Sequence, residues 1–216
     1  MEGIFGVYKP LGITSNKALQ IIRRRIGPVK VGHAGTLDPL AEGVLVIGIG
    51  REATRQLDTI VKKDKEYVAE VTFGVTSSTD DGEGEKTEVG VKEIPEQKKV
   101  EEVIEKFIGE ITQVPPIYSA IKIGGKEAYK RARKGEDIQM KGRPARVDEI
   151  EIINFAWPKL ELRVTTGPGV YIRALARDIG EELGVGGYLS ALKRTRVGDF
   201  HIEEAIQLEE VGEEID

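Results

Sequence analysis

The residues best suited to chemistry in this sequence surround a single acid, Asp38, in the run Gly32-His33-Ala34-Gly35-Thr36-Leu37-Asp38-Pro39. Glycines at 32 and 35 permit backbone angles that a side-chain-bearing residue resists. Pro39 fixes the angle directly after the acid and removes a backbone donor. The apolar run Val44-Leu45-Val46-Ile47 follows and reads as a buried strand. Together these residues predict a tightly shaped loop that presents one carboxylate beside a strand. A carboxylate held in this way can act as a nucleophile, dividing one hard step into easier ones. The same residues also suit an ordinary turn with an acid in it. Metal chemistry has less support. The chain has no cysteine, and its two histidines, His33 and His201, lack ligand-like spacing. Gly82 and Gly84 lie among acids but without the ligand series of a calcium loop.

The octapeptide resembles the catalytic loop of the TruB family of tRNA pseudouridine synthases, G-H-x-G-x-L-D-P. Three further segments are similar to that family in the same order. They are Gly6-Val7-Tyr8-Lys9-Pro10-Leu11-Gly12-Ile13-Thr14-Ser15, Lys65-Glu66-Tyr67, and Gly167-Pro168-Gly169-Val170-Tyr171-Ile172-Arg173-Ala174-Leu175. The resemblance runs to about Phe200 and implies a role for each matched residue. Asp38 becomes the catalytic acid and Arg173 the arginine paired with it. A guanidinium stays charged and grips a carboxylate bidentately, which offsets the desolvation that would otherwise neutralise the acid. Tyr67 becomes the aromatic that stacks on the target uracil, acting by stacking alone or with its hydroxyl also transferring a proton. Tyr171 and Leu192 line the uridine pocket, His33 sits near the flipped bases, and Lys9 with Pro10 buttresses the loop. Tyr8 departs from the aspartate common at that family position. Read without the family, Tyr67 and Leu192 are core residues and Arg173 a surface helix arginine. Arg177, one turn after Arg173, reads as a structural partner of Asp178 or Glu181.

The implied reaction isomerises the T-loop uridine of tRNA to pseudouridine, at position 55, after the base is flipped out of its stack. It needs no cofactor and no metal. The expected partner is the tRNA T-stem-loop, and the protein is expected to be a cytoplasmic monomer. Two other proteins of the same fold remain conceivable: a non-catalytic tRNA-binding chaperone and an RNA-guided synthase. The intact Asp38, Tyr67 and Arg173 set argues against the first, and the lack of added modules against the second. Bacterial members of the family commonly continue into a small C-terminal RNA-binding domain of PUA type, which is expected to be absent from these 216 residues.

A net charge of −5 is at first sight unsuited to RNA, but its distribution is uneven. Between 122 and 146 lie nine basic residues against three acids, with Tyr118 and Tyr129 interleaved. Lys130, Arg131 and Arg133 at its centre are candidates for phosphate contact, and the tyrosines for base stacking. From Glu203 onward there are seven acids and no base. The expected organisation is a catalytic domain over 1–202 with a basic RNA-binding insertion at about 118–146, then an acidic segment over 203–216. No run of apolar residues is long enough for a membrane helix.

The elements that must position these residues follow from periodicity. A strand is predicted at 3–8. A helix capped by Thr14 or Ser15 runs to Ile26, with Ala18, Ile22 and Ile26 forming its apolar stripe and Leu19 beside them. Further strands are predicted at 43–49, at 118–123, at 147–155, at 160–166 and near 197–202. Alternation at Tyr67, Ala69, Val71 and Phe73 marks another. Helices are predicted at 51–61, around Val100 to Ile108, at 126–134, at 171–183 and at 187–193. Residues 75–90 read as a loop. The fold class is α+β, with a mixed, mostly antiparallel sheet and flanking helices. The resemblance implies the pseudouridine synthase fold, whose bisected sheet holds a central active-site cleft.

Overall fold

The computed structural model of the protein describes residues 2–212. The chain begins β1 (Gly3–Lys9), α1 (Ser15–Ile26), β2 (Val31–Ala34), β3 (Ala41–Ile49), α2 (Arg51–Ile60) and β4 (Lys65–Phe73). It continues through β5 (Val75–Ser77), β6 (Lys86–Glu88), α3 (Gln97–Glu105), β7 (Gly109–Gln113), β8 (Lys122–Ile123), β9 (Lys126–Glu127) and α4 (Ala128–Ala132). Next come β10 (Arg143–Ala156), β11 (Lys159–Thr166), α5 (Ile172–Glu182), β12 (Gly187–Val197) and β13 (Phe200–His201). A short 3-10 turn (Ile202–Glu204) leads to β14 (Ile206–Gln207). Two compact units result. The first comprises Met1–Val68, Arg163–Pro168 and Ala191–Asp216; the second comprises Ala69–Leu162 and Gly169–Ser190.

In the first unit the strand order is β14-β1-β3-β12, with β2 on β3 and β13 on β12. β1 and β3 are antiparallel, whereas β1 with β14 and β3 with β12 are parallel. α1 starts where the sequence predicts: the Thr14 hydroxyl oxygen accepts from Lys17 N at 3.0 Å. Its inner face, Ala18, Leu19 and Ile22, packs with Val7, Leu45, Ile47 and Ile49. Ile22 is fully buried, an arrangement that contributes roughly 1.5–3 kcal/mol for such a side chain. Val44 and Val46 join a second cluster with Leu57 of α2. β3 is therefore buried on both faces, which accounts for its unbroken apolar run.

The second unit orders its strands β4-β11-β10-β7, with β10 and β7 antiparallel. Val100, Val103 and Ile104 of α3 are buried, as are Ile172, Leu175 and Ile179 of α5. β4 shows strict alternation, with Tyr67, Ala69, Val71 and Phe73 inward, as the sequence predicts.

Three expectations change. The 75–90 stretch contains a hairpin, β5 against β6, closed by polar side chains that a composition reading takes for loop. Residues 187–193 form part of β12, because Leu192, Lys193 and Arg194 pair in parallel with Ala41, Glu42 and Gly43. That long-range pairing overrides the local helical spacing. In 118–134 only Lys122–Ile123 and Lys126–Glu127 are extended and only Ala128–Ala132 is helical, since Gly124 and Gly125 form a tight hairpin turn. The described part of the acidic segment packs on the first unit. β14 pairs with β1, and Leu208 and Val211 are buried in the α1 cluster. Glu213, Glu214 and Asp216 lie outside the described residues.

Candidate active site

Asp38 lies in the connection from β2 to β3, and its side chain is half-buried. β2 itself takes in Gly32 and His33, so these two sit in a strand, and only Gly35 of the two glycines has a positive φ, 81°. The connection is pinned on both sides of the acid. Ser15 Oγ, at the start of α1, accepts from Leu37 N at 2.8 Å and donates to Leu37 O at 2.9 Å. Gly12 N donates to Pro39 O at 2.8 Å, and Ala41 N to Asp38 O at 3.0 Å. Lys9, at the end of β1, is fully buried and donates to Pro10 O at 2.9 Å and Ile13 O at 2.7 Å. Burial draws its pKa down to about 8, while attraction from Asp38 works in the opposite direction. Lys9 thus links the turn after β1 to itself and feels the charge of Asp38.

Tyr8 donates to Glu42 Oε2 at 2.7 Å, and Glu42 also pairs with Lys193 at 2.9 Å. Burial, with Glu42 beside it, pushes the Tyr8 phenol up to about 12. The residue that departs from the family pattern therefore serves as a hydrogen-bond donor between β1 and β3.

Tyr67, on β4, is 6% exposed and faces the guanidinium of Arg194. Arg194 also faces Lys65 and His33. Burial, reinforced by that guanidinium, lowers the pKa of both, that of Lys65 to about 8. Lys65 donates to Val61 O and Lys63 O. Leu192 is half-buried against the cluster that contains Leu37. Lys9, His33, Asp38, Tyr67 and Leu192 thus all belong to the first unit.

Tyr171 and Arg173 belong to the second. Tyr171 precedes α5, and its backbone is gripped by the buried Gln113 side chain, which accepts from Tyr171 N at 2.9 Å and donates to Tyr171 O at 3.1 Å. Arg143 lies over the Tyr171 ring, 5.2 Å from its centroid, and donates to Gly169 O. Arg173 is buried. It donates to Tyr118 O at 3.0 Å, Thr79 O at 3.2 Å and Asp81 Oδ2 at 3.2 Å. Asp81 in turn accepts from Glu83 N at 3.0 Å. Arg177 pairs with Asp80 at 2.8 Å and Asp178 at 2.7 Å, in keeping with the structural role read from the sequence.

The basic stretch is partly neutralised within itself. Lys130 pairs with Glu127 at 3.1 Å and Arg131 with Glu136 at 2.6 Å. Arg133 lies 5.6 Å from the centroid of the Tyr129 ring. Such exposed pairs contribute little to stability, because water and salt screen them. No group of three or more His, Cys, Asp or Glu among the described residues is arranged to hold a metal, and no helix among them is long and apolar enough to cross a membrane.

Asp81 and Arg194, which hold residues of the candidate site, were missed by sequence reasoning, and Ser15 was read only as a helix cap within a family-like segment. Asp81 was concealed in the acid-rich 75–90 stretch, and Arg194 beyond a segment read as helix.

A family model described as TruB family pseudouridylate synthase (N terminal domain) matches residues 23–172, and one described as tRNA pseudouridylate synthase B C-terminal domain matches 173–215. The tRNA pseudouridine synthase B of Thermobifida fusca is 43% identical over 221 residues, 99% of this chain and 75% of the relative. That of Phocaeicola vulgatus is 44% identical over 214 residues, 96% of this chain and 91% of the relative. Among solved structures, the matching chain in a Cbf5-Nop10-Gar1 complex has a TM-score of 0.76 at 31% identity. The match covers 98% of this chain but 54% of that one, so the protein spans about half of its length. Likeness of this extent, along nearly the whole sequence, makes the chain a member of the TruB family of pseudouridylate synthases.

Proposed function

We propose that the protein is a tRNA pseudouridine-55 synthase, which isomerises the T-loop uridine of tRNA without a cofactor. The observation that supports this most is the Asp38 connection itself. One carboxylate stands in a backbone pinned at Leu37 and Pro39, with the buried Lys9 ammonium as its electrostatic partner. Fixing a reacting group before substrate arrives removes orientational cost from the chemical step.

The reaction must break the bond from ribose C1′ to uracil N1, turn the base, and join C1′ to C5, with the C5 proton lost and N1 protonated in its place. Nothing is gained or lost overall, so no co-reactant is required. Asp38 serves either by attacking covalently or by assisting elimination across the sugar. The permanent charge of Arg173 is assigned to support of that carboxylate, as the family resemblance implies, and Tyr67 to stacking on uracil and to proton transfer. Tyr171, Leu192 and His33 are assigned to the pocket of the flipped base. Lys130, Arg131 and Arg133 would exchange their internal partners for T-stem phosphates. We further propose action as a cytoplasmic monomer.

The test is direct. The purified protein, alone, is incubated with an unmodified T-stem-loop RNA, and nucleosides are analysed after digestion. Pseudouridine at position 55, formed without guide RNA or partner protein, is the expected result. No product would overturn the proposal, and product only with a guide would favour an RNA-guided enzyme.

A further inference from the structure

Gln113 ends β7 fully buried, and both ends of its side-chain amide bond the backbone of one residue, Tyr171. Its Oε1 accepts from Tyr171 N at 2.9 Å, and its Nε2 donates to Tyr171 O at 3.1 Å. The backbone fixes which end of the amide is which, since an N–H only donates and a C=O only accepts. The Tyr171 carbonyl already accepts from Leu175 N at 3.1 Å, so the first turn of α5 does not need the second bond. An amide taken wholly out of water is costly unless both ends are bonded, and an apolar residue would fill the end of a strand at less cost. The amide therefore calls for a reason other than packing.

Arg143, the first residue of β10, stands opposite Gln113 in the antiparallel pairing of β10 with β7. It reaches the same tyrosine through the ring. Its guanidinium lies over the ring, 5.2 Å from the centroid, and its Nη2 donates to Gly169 O two residues earlier. One member of this cross-strand pair thus holds the Tyr171 backbone, and the other covers its ring. A tyrosine restrained in both ways keeps few rotamers. Residues 114–142, which carry most of the basic stretch, leave the sheet after Gln113 and return at Arg143. α5 holds the outgoing chain as well. Arg177 Nη2 donates to Val114 O at 2.8 Å, and Arg173 Nη2 to Tyr118 O at 3.0 Å. The neck of the basic stretch and the start of α5 are therefore one hydrogen-bonded unit that includes Tyr171.

We propose that Gln113 and Arg143 are positioning residues for the pocket of the flipped base, which together fix the backbone and the ring of Tyr171 before RNA arrives. The proposal rests on the synthase reading above, in which Tyr171 lines that pocket. It predicts that loss of the Gln113 amide acts on the chemical step through Tyr171, rather than on RNA binding.

The experiment is a double-mutant cycle of Gln113→Met, Tyr171→Leu and both together. For each, the single-turnover rate at saturating T-stem-loop RNA, the RNA dissociation constant and the melting temperature are measured. Methionine is unbranched like glutamine but has no amide to bond the backbone. Gln113→Met should lower the rate by about a hundredfold, as a small misplacement of reacting groups does, and leave the dissociation constant near that of the parent. In the Tyr171→Leu background the same change should cost far less, because there is no ring left to place and coupled residues are not additive. Equal fold-losses in both backgrounds, or a near-parental rate, would overturn the proposal. Should Gln113→Met fail to fold, the same cycle with Arg143→Lys decides. That position is only half-buried, and lysine keeps the charge but loses the planar face over the ring. Equal fold-losses in that cycle contradict the proposal. A parent inactive on the RNA would reject the synthase reading instead, and hydrogen exchange would still judge the grip on Tyr171. The Tyr171 amide proton should be protected in the parent and exchange faster in Gln113→Met, and equal exchange in the two contradicts the grip.

Discussion

At Arg173 three acceptors converge on one guanidinium: the carbonyls of Tyr118 and Thr79 and the carboxylate of Asp81. A lysine would keep the charge but could not span all three, since its ammonium is a single point on a flexible stem. Arg173→Lys is therefore expected to lose about 1–3 kcal/mol of stability and most activity. Denaturant unfolding beside single-turnover rates checks both, and a variant near the parent in both would remove Arg173 from the site. Ser15 offers a second case. Its hydroxyl satisfies both backbone groups of Leu37 in a buried setting. Ser15→Ala should cost about 1–3 kcal/mol by leaving them unpaired, and should slow turnover with little change in RNA affinity. An equally active, equally stable alanine variant would show that the Asp38 connection holds its own shape. These two residues mark where sequence reading stopped. The shaped connection around Asp38 was legible because glycine, proline and a following apolar run constrain it locally. Arg173 took its importance only from family resemblance. Asp81, Ser15 and Arg194 act through partners 92, 22 and 159 positions away, separations that no local pattern reports.

Among the elements, β4 and α1 were readable because one face of each is buried and the other is not, so burial imprints its period on the sequence. β12 was not. Its pairing with β3 is set from more than a hundred positions away, and its residues spaced at 189 and 192 mimic a helix. The glycine at 43 is the local trace of that pairing, visible as a residue but not as a contact. Lys65, at the start of β4, carries a prediction about pH. Burial, with Arg194 nearby, draws its pKa in the folded protein from 10.5 to about 8. Across that window the unfolded chain holds the additional proton, so stability must rise as pH rises. The penalty of burying the ammonium is fully present below about 8 and is relieved above it. Lys9 shifts in the same sense and adds to the slope. Lys65→Met removes one contribution. Unfolding free energy measured between pH 8 and 10.5 should rise less steeply in the variant than in the parent. Identical slopes would mean that Lys65 titrates normally in the folded state.

For the whole molecule the question is how a chain of net charge −5 holds a polyanion. The uneven distribution was plain in the sequence, but the internal pairing of the basic stretch was not. Glu127 and Glu136 occupy Lys130 and Arg131, so phosphate must compete for them. Replacing Lys130, Arg131, Arg133 and Lys134 with neutral residues should weaken T-stem-loop binding and leave two acids facing the RNA. The slope of log affinity against log salt should become shallower by about 0.7–0.9 for each phosphate that the variant no longer neutralises. An unchanged slope would make the stretch a solvated surface. The central claim is narrower: that this chain isomerises uridine through Asp38. Its most direct test compares the parent with Asp38→Asn on the same T-stem-loop RNA, following pseudouridine formation, RNA affinity and thermal unfolding together. The amide keeps the size and much of the hydrogen bonding but cannot act as a carboxylate nucleophile. No pseudouridine, with binding and unfolding like those of the parent, is the predicted result. Turnover by Asp38→Asn at even a few per cent of the parental rate would contradict the account.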